Sequence, residues 1–449
     1  MRLRKFSPAR HRHAFRWLLI KESRELLVSR AWWLLLFLMG PLAGISFISA
    51  MRTYAEVSGL NGTAAGVGEA LSPLIGVWAP TFSACELAAV FLLPFVAIRI
   101  VAGDRHSGAL KLELQRGISP FTRIAAKAMV ALAGWLIAML PPLSAIALWI
   151  FYGGVTHPPE LLTLIAGHIL NAGLTIAFGA AAASLTEHPS TAAILTLSVT
   201  VGTWVVTFFA AIQGGFWERV ATFTPAAMVA DFQHGLVRLD TVLIALALTL
   251  MSLGLAAIWQ VLGKTETRRA GESAALIAVA ALAITAFTFA RPTWDTSEDR
   301  ANSFPLTDEL ALRQIREPMK IVVHLAPEDP RRADLEHRAL SKLRRIIPHL
   351  DIQYVSGTSI GIFEQTREGY GEIRYFIGNR TATSRVTTAE GVLETIYDLA
   401  TMQLPKAPEE PVFRGHPLAV PPVGAPAIFY VVWPSLTLLA ALLVRRGFH

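Results

Sequence analysis

Apolar residues in this chain are gathered into long, nearly uninterrupted runs that are separated by polar segments. A helix needs about 20 apolar residues to cross the hydrocarbon core of a bilayer, so runs of this kind predict membrane-spanning helices. The pattern predicts about eight spans. They cover residues 31–50, 83–101, 124–150, 161–185, 191–212, 241–262, 272–290 and 426–444.

The composition agrees with a membrane location. Of the 449 residues, 53% are hydrophobic and only 16% are charged, a balance typical of membrane proteins. The formal net charge is +7, but Lys and Arg lie beside the apolar runs and not along a groove with interleaved aromatic residues. We therefore expect membrane lipid, and no nucleic acid, as a partner. Cys85 is the single cysteine, so no CxxC pair exists.

The basic residues also predict the orientation of the spans. The segment before the first run and the Arg445-Arg446 tail are both basic, and so is the segment 104–123. By the positive-inside rule, these three segments lie in the cytoplasm, which makes both termini cytoplasmic. Alternation of eight spans then places residues 291–422 on the opposite side of the membrane.

An amphipathic segment precedes the first span. Between Phe15 and Arg30, leucines recur near helical spacing while charged residues fill much of the remaining surface. This pattern predicts an interfacial helix, with Trp17, Arg24 and Glu25 as its candidate functional residues. A solvated extension of the first span is the alternative.

A short charged segment, residues 103–120, lies between the second and third predicted spans. It is called the charged segment below. Its leucines fit either a strand or one helical face, so the pattern leaves its structure open. Ser119-Pro120 is more specific, because Ser can cap a helix whose first turn accepts Pro. The candidate residues in and just after this segment are Gly103, Asp104, Arg105, His106, Gly108, Leu110, Leu114, Pro120, Arg123 and Lys127.

Residues 213–240 are too interrupted to span a membrane and too apolar for an ordinary loop. They predict a pair of short helices that dip into the membrane, because backbone groups there need internal hydrogen bonds.

Taken together, the order of parts in residues 14–262 resembles an ABC-2 type transporter permease. The charged segment carries the resemblance, with Ala109 departing from the usual Thr. The resemblance implies a bacterial inner-membrane exporter subunit that pairs with a second permease copy or a homologue. It also implies two copies of a separate cytoplasmic ATPase, which bind ATP and Mg²⁺, so this chain is not expected to be an enzyme or to hold a cofactor.

Residues 318–402 differ in character from the rest of the chain. Their pattern predicts the order β-α-β followed by β-β-α, with strands that include 319–325 and 384–387. Segments such as Leu306 to Leu310 and Tyr370 to Ile373 resemble the auxiliary domain of gliding-motility-associated ABC transporters. That resemblance implies thioredoxin-like topology, but Pro327 to Pro330 stand where a redox protein has CxxC. Without a thiol, we expect a binding or regulatory domain.

The predicted fold is thus a polytopic all-α membrane domain with an inserted α/β extracytoplasmic domain. The expected divisions are a cytoplasmic N-terminus with an elbow helix (1–30), a six-helix permease core (31–262), a seventh span (263–290), the α/β domain (291–404), a Pro-rich tether (405–425) and an eighth span with its tail (426–449).

Polar residues within the spans are candidates for a substrate pathway. Glu86, His168 and Asn171 are costly at membrane depth, so either a pathway role or simple packing accounts for them. Arg99 is expected to extend to the membrane surface. No histidine has a second ligand at a usual spacing, so we expect no metal site, and GxSxG and HExxH are absent.

Two hypotheses for the function remain open. In the first, ATP-driven movement of the partner ATPase acts on the charged segment and exports a substrate. In the second, the same movement displaces the extracytoplasmic domain, which acts on a periplasmic partner while no substrate crosses. The basic segment 331–345 is either a solvated helix face or a surface for an anionic partner.

Overall fold

The computed structural model describes residues 8–57, 72–107, 118–213, 215–221, 223–261, 263–298, 300–326, 329–355, 369–403 and 422–447. The chain forms two compact units. The first, here called the helical unit, lies within residues 1–203, 225–293 and 413–449, and the second, here called the α/β unit, lies within 204–224 and 294–412.

Most of the described residues are helical. The α-helices are α1 (Pro8–Val28), α2 (Arg30–Val57), α3 (Ala79–Phe91), α4 (Leu93–Ser107), α5 (Pro120–Ala138), α6 (Leu140–Phe151), α7 (Pro158–Leu185), α8 (Pro189–Gln213), α9 (Gly215–Ala221), α10 (Pro225–Gln233), α11 (Leu239–Trp259), α12 (Glu266–Phe287), α13 (Leu306–Leu312), α14 (Pro330–Leu335), α15 (Ser341–Ile346), α16 (Ala389–Ala400), α17 (Ala425–Ala427) and α18 (Trp433–Gly447). Wider π-helical turns occupy Leu74–Trp78, Glu336–Leu340 and Ile428–Val432.

Six short strands complete the described secondary structure. They are β1 (Leu236–Arg238), β2 (Thr293–Asp295), β3 (Met319–Val323), β4 (Leu350–Tyr354), β5 (Ile373–Ile377) and β6 (Arg380–Ser384).

Eight helical segments among the described residues are long and apolar enough to cross a membrane, which confirms the predicted number and makes the chain a multi-pass membrane protein. In chain order they are span one (Arg30–Glu56), span two (Leu74–Gly103), span three (Pro120–Phe151), span four (Pro158–Leu185), span five (Pro189–Ala210), span six (Leu239–Trp259), span seven (Glu266–Phe287) and span eight (Ala425–Gly447).

The largest difference from the predicted boundaries is at span two. It begins at Leu74 and not near residue 83, because a buried π-helical turn at Leu74–Trp78 leads directly into α3. Pro80 in the first turn of α3 does not interrupt this run, since the first turn of a helix tolerates Pro.

The helix start predicted at Ser119-Pro120 is confirmed, so span three begins at Pro120 and not near residue 124. Ser119 is the N-cap of α5, and its Oγ accepts a hydrogen bond from the backbone N–H of Thr122 at 3.1 Å. The two short helices expected within 213–240 are also present, as α9 and α10.

Span eight packs closely against span one within the helical unit. A Cβ atom added at Gly40 would lie 2.4 Å from Trp433 Cδ1, and one at Gly44 would lie 2.5 Å from Phe429 Cβ. Trp433 Nε1 also donates a hydrogen bond to the carbonyl oxygen of Leu36 at 2.6 Å. The glycines, one helical turn apart, allow this approach, as small residues commonly do between membrane helices.

The α/β unit contains a four-stranded sheet in the order β4-β3-β5-β6. β3 pairs with β4 in parallel and with β5 antiparallel, and β5 pairs antiparallel with β6. Alternate residues of β3 and β5, such as Ile321 and Tyr375, are buried against the helices of this unit. The sheet and these helices share one hydrophobic core.

The strand expected at 384–387 is wrong by four residues at its start. The observed strand is β6 (Arg380–Ser384), which pairs Arg380 with Ile377 of β5 across a two-residue turn. Gly378 has a φ of +57° there, a conformation that glycine adopts readily, so the hairpin closes early. Thr388 caps α16 immediately afterwards.

Candidate functional site

A buried ion pair joins three elements of the helical unit. The Nζ of Lys127 in α5 donates hydrogen bonds to both Glu22 carboxylate oxygens in α1, each at 2.8 Å. It also donates to the carbonyl oxygen of Ile100 in α4 at 3.1 Å. The side chains of Lys127 and Glu22 are only 3% and 1% exposed. We call these three residues the clamp.

The sequence of α1 explains why Glu22 is buried. Leu18 and Leu26 lie one turn before and one turn after it, and both are buried. Glu22 therefore stands in the middle of the apolar stripe that packs α1 against α5. A carboxylate in this position must be paired, because an isolated buried charge is very costly.

Glu22 is a functional candidate that the sequence prediction missed. The selected residues of α1 were Trp17, Arg24 and Glu25, chosen as anchors or charged positions. In the structure Trp17 and Arg24 are exposed, and Glu25 is half-buried and 3.1 Å from Lys21 Nζ. The available signal was an acidic residue flanked at four-residue spacing by leucines.

The predicted residues of the charged segment whose side chains the structure describes lie at its two ends. Gly103 is exposed near the end of α4, while Pro120 opens α5 and Arg123 lies one turn before Lys127. Arg123 is buried, with 1% of its surface exposed. The clamp thus contacts the helices on both sides of the segment.

The middle of the charged segment lies largely outside the described residues. The backbone of α4 continues through Asp104, Arg105 and His106, whose side chains are not among those described. Gly108, Leu110 and Leu114 lie outside the described residues entirely.

The candidate pathway residues lie on two helices that pack together. Glu86 is half-buried in α3, whereas His168 and Asn171 are buried in α7. The rings of Phe82 and His168 have centroids 5.5 Å apart, and Phe82 lies one turn from Glu86 on α3. The structure therefore places His168 beside the helix that carries Glu86.

Metal ligands and Arg99 were the remaining questions from the sequence. Across the described parts of the chain, no group of three His, Cys, Asp or Glu residues is arranged to hold a metal ion. Arg99 is exposed on α4.

Asp329 accepts several hydrogen bonds within the α/β unit. Its side chain caps α14 by accepting from the backbone N–H of Arg331 at 3.0 Å. It also accepts from Arg331 Nη2 at 2.7 Å and from Tyr370 Oη at 2.8 Å. The hydrogen bond from the Arg331 side chain is the main reason that the pKa of Asp329 is lowered to about 2.

Most of the Lys and Arg side chains in the basic segment 331–345 contact other residues of the α/β unit. The Cζ atom of Arg332 lies 4.0 Å from the centre of the Tyr354 ring. The Nη1 atom of Arg344 lies 2.5 Å from Glu336 Oε1. Lys342 and Arg345 donate to the carbonyl oxygens of Ser303 and Asn302. These contacts favour a structural role for the basic segment. They hold α14 and α15 to the rest of the unit.

No family model matches the chain, and a search of the curated proteins finds no similar one.

Proposed function

We propose that this chain is the transmembrane permease subunit of an ABC-2 type, ATP-driven exporter. ATP and Mg²⁺ bind to two copies of a separate cytoplasmic ATPase, and a second permease copy or a homologue completes the transport path. The subunit lies in the bacterial inner membrane with both termini in the cytoplasm. The observation that carries this proposal is the clamp formed by Lys127, Glu22 and Ile100.

The clamp is suited to transmit a force applied to the charged segment. That segment leaves α4 shortly after Ile100 and enters α5 shortly before Lys127. Because Lys127 donates both to the Ile100 carbonyl and to Glu22, a displacement of the segment acts on span two, span three and α1 at once. A docked ATPase would move three elements as one body.

The order of elements supports the same proposal. An amphipathic helix, six spans and two short helices between spans five and six follow the arrangement expected of this class of permease. In the α/β unit, a parallel strand pair followed by an antiparallel hairpin supports a thioredoxin-like domain. Since the chain has no thiol at this position, we propose a binding role for that domain.

Site-directed cross-linking tests the ATPase contact. In a Cys85→Ala background, Leu110→Cys places the only thiol within the charged segment. Treatment of membranes from the source cells with a short thiol-to-amine cross-linker should join this variant to a protein that carries a P-loop ATPase motif. Val155→Cys is the control, because Val155 is exposed in a loop that the proposed orientation places outside the cytoplasm. An adduct with both variants, or with neither, would contradict the proposal.

A mechanical unit is the second candidate function, and the packing of span eight favours it. Gly40 and Gly44 hold span eight against span one, so movement of span one would pass to span eight, which follows the α/β unit in sequence. Deletion of residues 300–420 distinguishes the two proposed functions. In an exporter, substrate-stimulated ATPase activity should survive the deletion. In a mechanical unit, the effect on the periplasmic partner and the substrate-stimulated ATPase activity should both disappear.

A further inference from the structure

One side of span four carries a row of buried polar side chains. Glu160, Thr163, His168, Asn171 and Thr175 are between 1% and 8% exposed. Their spacing keeps them on one side of α7. Polar side chains at membrane depth are costly and commonly have a function. The row therefore makes this side of span four a candidate for ligand binding.

His168 is the central residue of the row. Neither of its ring nitrogens has a hydrogen-bond partner among the described residues, and only 1% of its surface is exposed. A buried polar group without a hydrogen bond is destabilising, because it has lost its bonds to water without replacement. The imidazole is thus positioned to bind a hydrogen-bonding group that the described part of the chain does not provide.

A second unpartnered group lies on an element that packs against span four. The indole Nε1 of Trp78 is buried and has no hydrogen-bond partner in the described ranges. Trp78 ends the π-helical turn at Leu74–Trp78, which contacts both α7 and α10, while its own ring packs against Phe47 of α2 and Trp149 of α6. Phe82 follows Trp78 by four residues and packs against His168. Turns of this type occur frequently at functional sites.

Aromatic side chains bound the same region. A Cβ atom at Gly167 would lie 2.4 Å from Phe232 Cβ, so α10 contacts α7 directly beside His168. Phe82 contacts the imidazole from α3. The site therefore combines a few hydrogen-bonding groups with apolar walls, which is the usual composition of a small-molecule site.

We propose that the buried side of span four around His168 binds a neutral hydrogen-bonding group, a hydroxyl or an amide, carried on an apolar body. His168 and Asn171 can each donate and accept hydrogen bonds, and aromatic walls suit the apolar part. A charged group is disfavoured because burial removes its hydration, which aromatic walls replace only in part, even for a cation. The site itself does not depend on the proposed function. Only the identification of its ligand as the exported cargo rests on that function.

Thiol accessibility tests the site on the full chain without any ATPase. In the Cys85→Ala background, His168→Cys is treated with the neutral reagent 2-hydroxyethyl methanethiosulfonate and with its trimethylammonium analogue. Ile176→Cys is the packing control, because Ile176 is 2% exposed on the same helix but outside the polar row. Ser190→Cys, at an exposed position, corrects for the intrinsic reactivity of each reagent. Asn171→Cys repeats the test if His168→Cys does not fold.

The neutral reagent should modify His168→Cys about tenfold faster than Ile176→Cys, and about tenfold faster than the cationic reagent does after correction. Equal rates at positions 168 and 176 would show that His168 is a packing residue and would overturn the site. Equal rates with both reagents would overturn the assignment to a neutral ligand. Failure of the exporter proposal would leave these rates unchanged, so the two failures are distinguishable.

Discussion

Lys127 in α5 and Glu22 in α1 form an ion pair that is almost completely shielded from solvent, with Nζ 2.8 Å from each carboxylate oxygen. The residues are 105 positions apart in the chain. Their pairing fixes α1 to the start of span three, while the additional bond to Ile100 includes span two. The clamp is therefore both a structural contact and the proposed route of force transmission.

Removing one member of the clamp should strongly destabilise the helical unit. Glu22→Gln leaves the Lys127 charge buried without its partner, which should lower the free energy of unfolding by about 3–5 kcal/mol. Lys127→Met should have a smaller effect, because Lys21 Nζ still donates to Glu22 Oε1 at 3.2 Å. The double variant Glu22→Met/Lys127→Met should recover most of this loss. Denaturant unfolding in detergent micelles measures these changes.

An exposed ion pair provides the control for this experiment. Arg268 lies 3.2 Å from Glu272, and its side chain is 69% exposed. Arg268→Met should therefore change the free energy of unfolding by less than about 1 kcal/mol. If Glu22→Gln has no larger effect than Arg268→Met, the clamp does not stabilise the helical unit.

Span eight should be sensitive to added volume at its contact with span one. Gly40→Ala and Gly44→Ala introduce a Cβ within 2.4–2.5 Å of atoms of Trp433 and Phe429. Each should lower the free energy of unfolding by about 1–3 kcal/mol because the contact is overpacked. Gly202→Ala is the matched control, since a Cβ there meets nothing within 4 Å. It should be neutral or slightly stabilising, and equal losses at positions 44 and 202 would refute the close contact.

The stabilising contribution of Asp329 to the α/β unit should be lost in acid. Its pKa is lowered from 3.8 to about 2, mainly by the hydrogen bond from Arg331, so the folded state favours the carboxylate. This contribution is fully present above about pH 4 and is lost as the pH falls towards 2. It amounts to at most about 2 kcal/mol, because Arg331 is half-exposed and solvent weakens the interaction.

Thermal unfolding of the full chain and of Asp329→Asn at several pH values checks this prediction. The wild-type advantage should be largest near neutral pH and should shrink between pH 4 and pH 2. A difference that stays constant over this range would show that the carboxylate charge makes no contribution.

The basic segment of the α/β unit should behave as part of the fold. Arg332 is buried and lies over the Tyr354 ring, so Arg332→Ala should lower the free energy of unfolding by about 1–2 kcal/mol. Arg338 is exposed, and Arg338→Ala should change it by less than about 0.5 kcal/mol. Weaker binding to anionic vesicles in both variants, without loss of stability in Arg332→Ala, would instead favour an anionic partner.

The sequence alone was sufficient to predict the eight spans, because crossing a bilayer requires a length and an apolarity that can be read directly. It also predicted the cap at Ser119, where a local hydrogen bond sets the start of a helix. It placed the start of span two too late, because the π-helical turn before Trp78 has no distinct periodicity.

Contacts between distant segments were harder to predict. The sequence identified Lys127 but not its partner Glu22, because nothing local indicates that α1 packs against α5. In the same way, it identified His168 but not Phe82, whose ring centroid lies 5.5 Å from that of the imidazole only because α3 packs against α7. The strand β6 was displaced because the closing turn at Gly378 depends on its pairing with β5.

ATPase activity in the purified complex is the most direct test of the proposal. The complex is isolated from source-cell membranes through a tag on this chain, and its vanadate-sensitive ATP hydrolysis is compared with that of Asp104→Ala/Arg105→Ala/Leu110→Ala. We predict that the wild-type complex hydrolyses ATP and that the triple variant, although inserted in the membrane in equal amount, loses most of the activity. A wild-type preparation without any ATPase activity, or a triple variant as active as the wild type, would contradict the account.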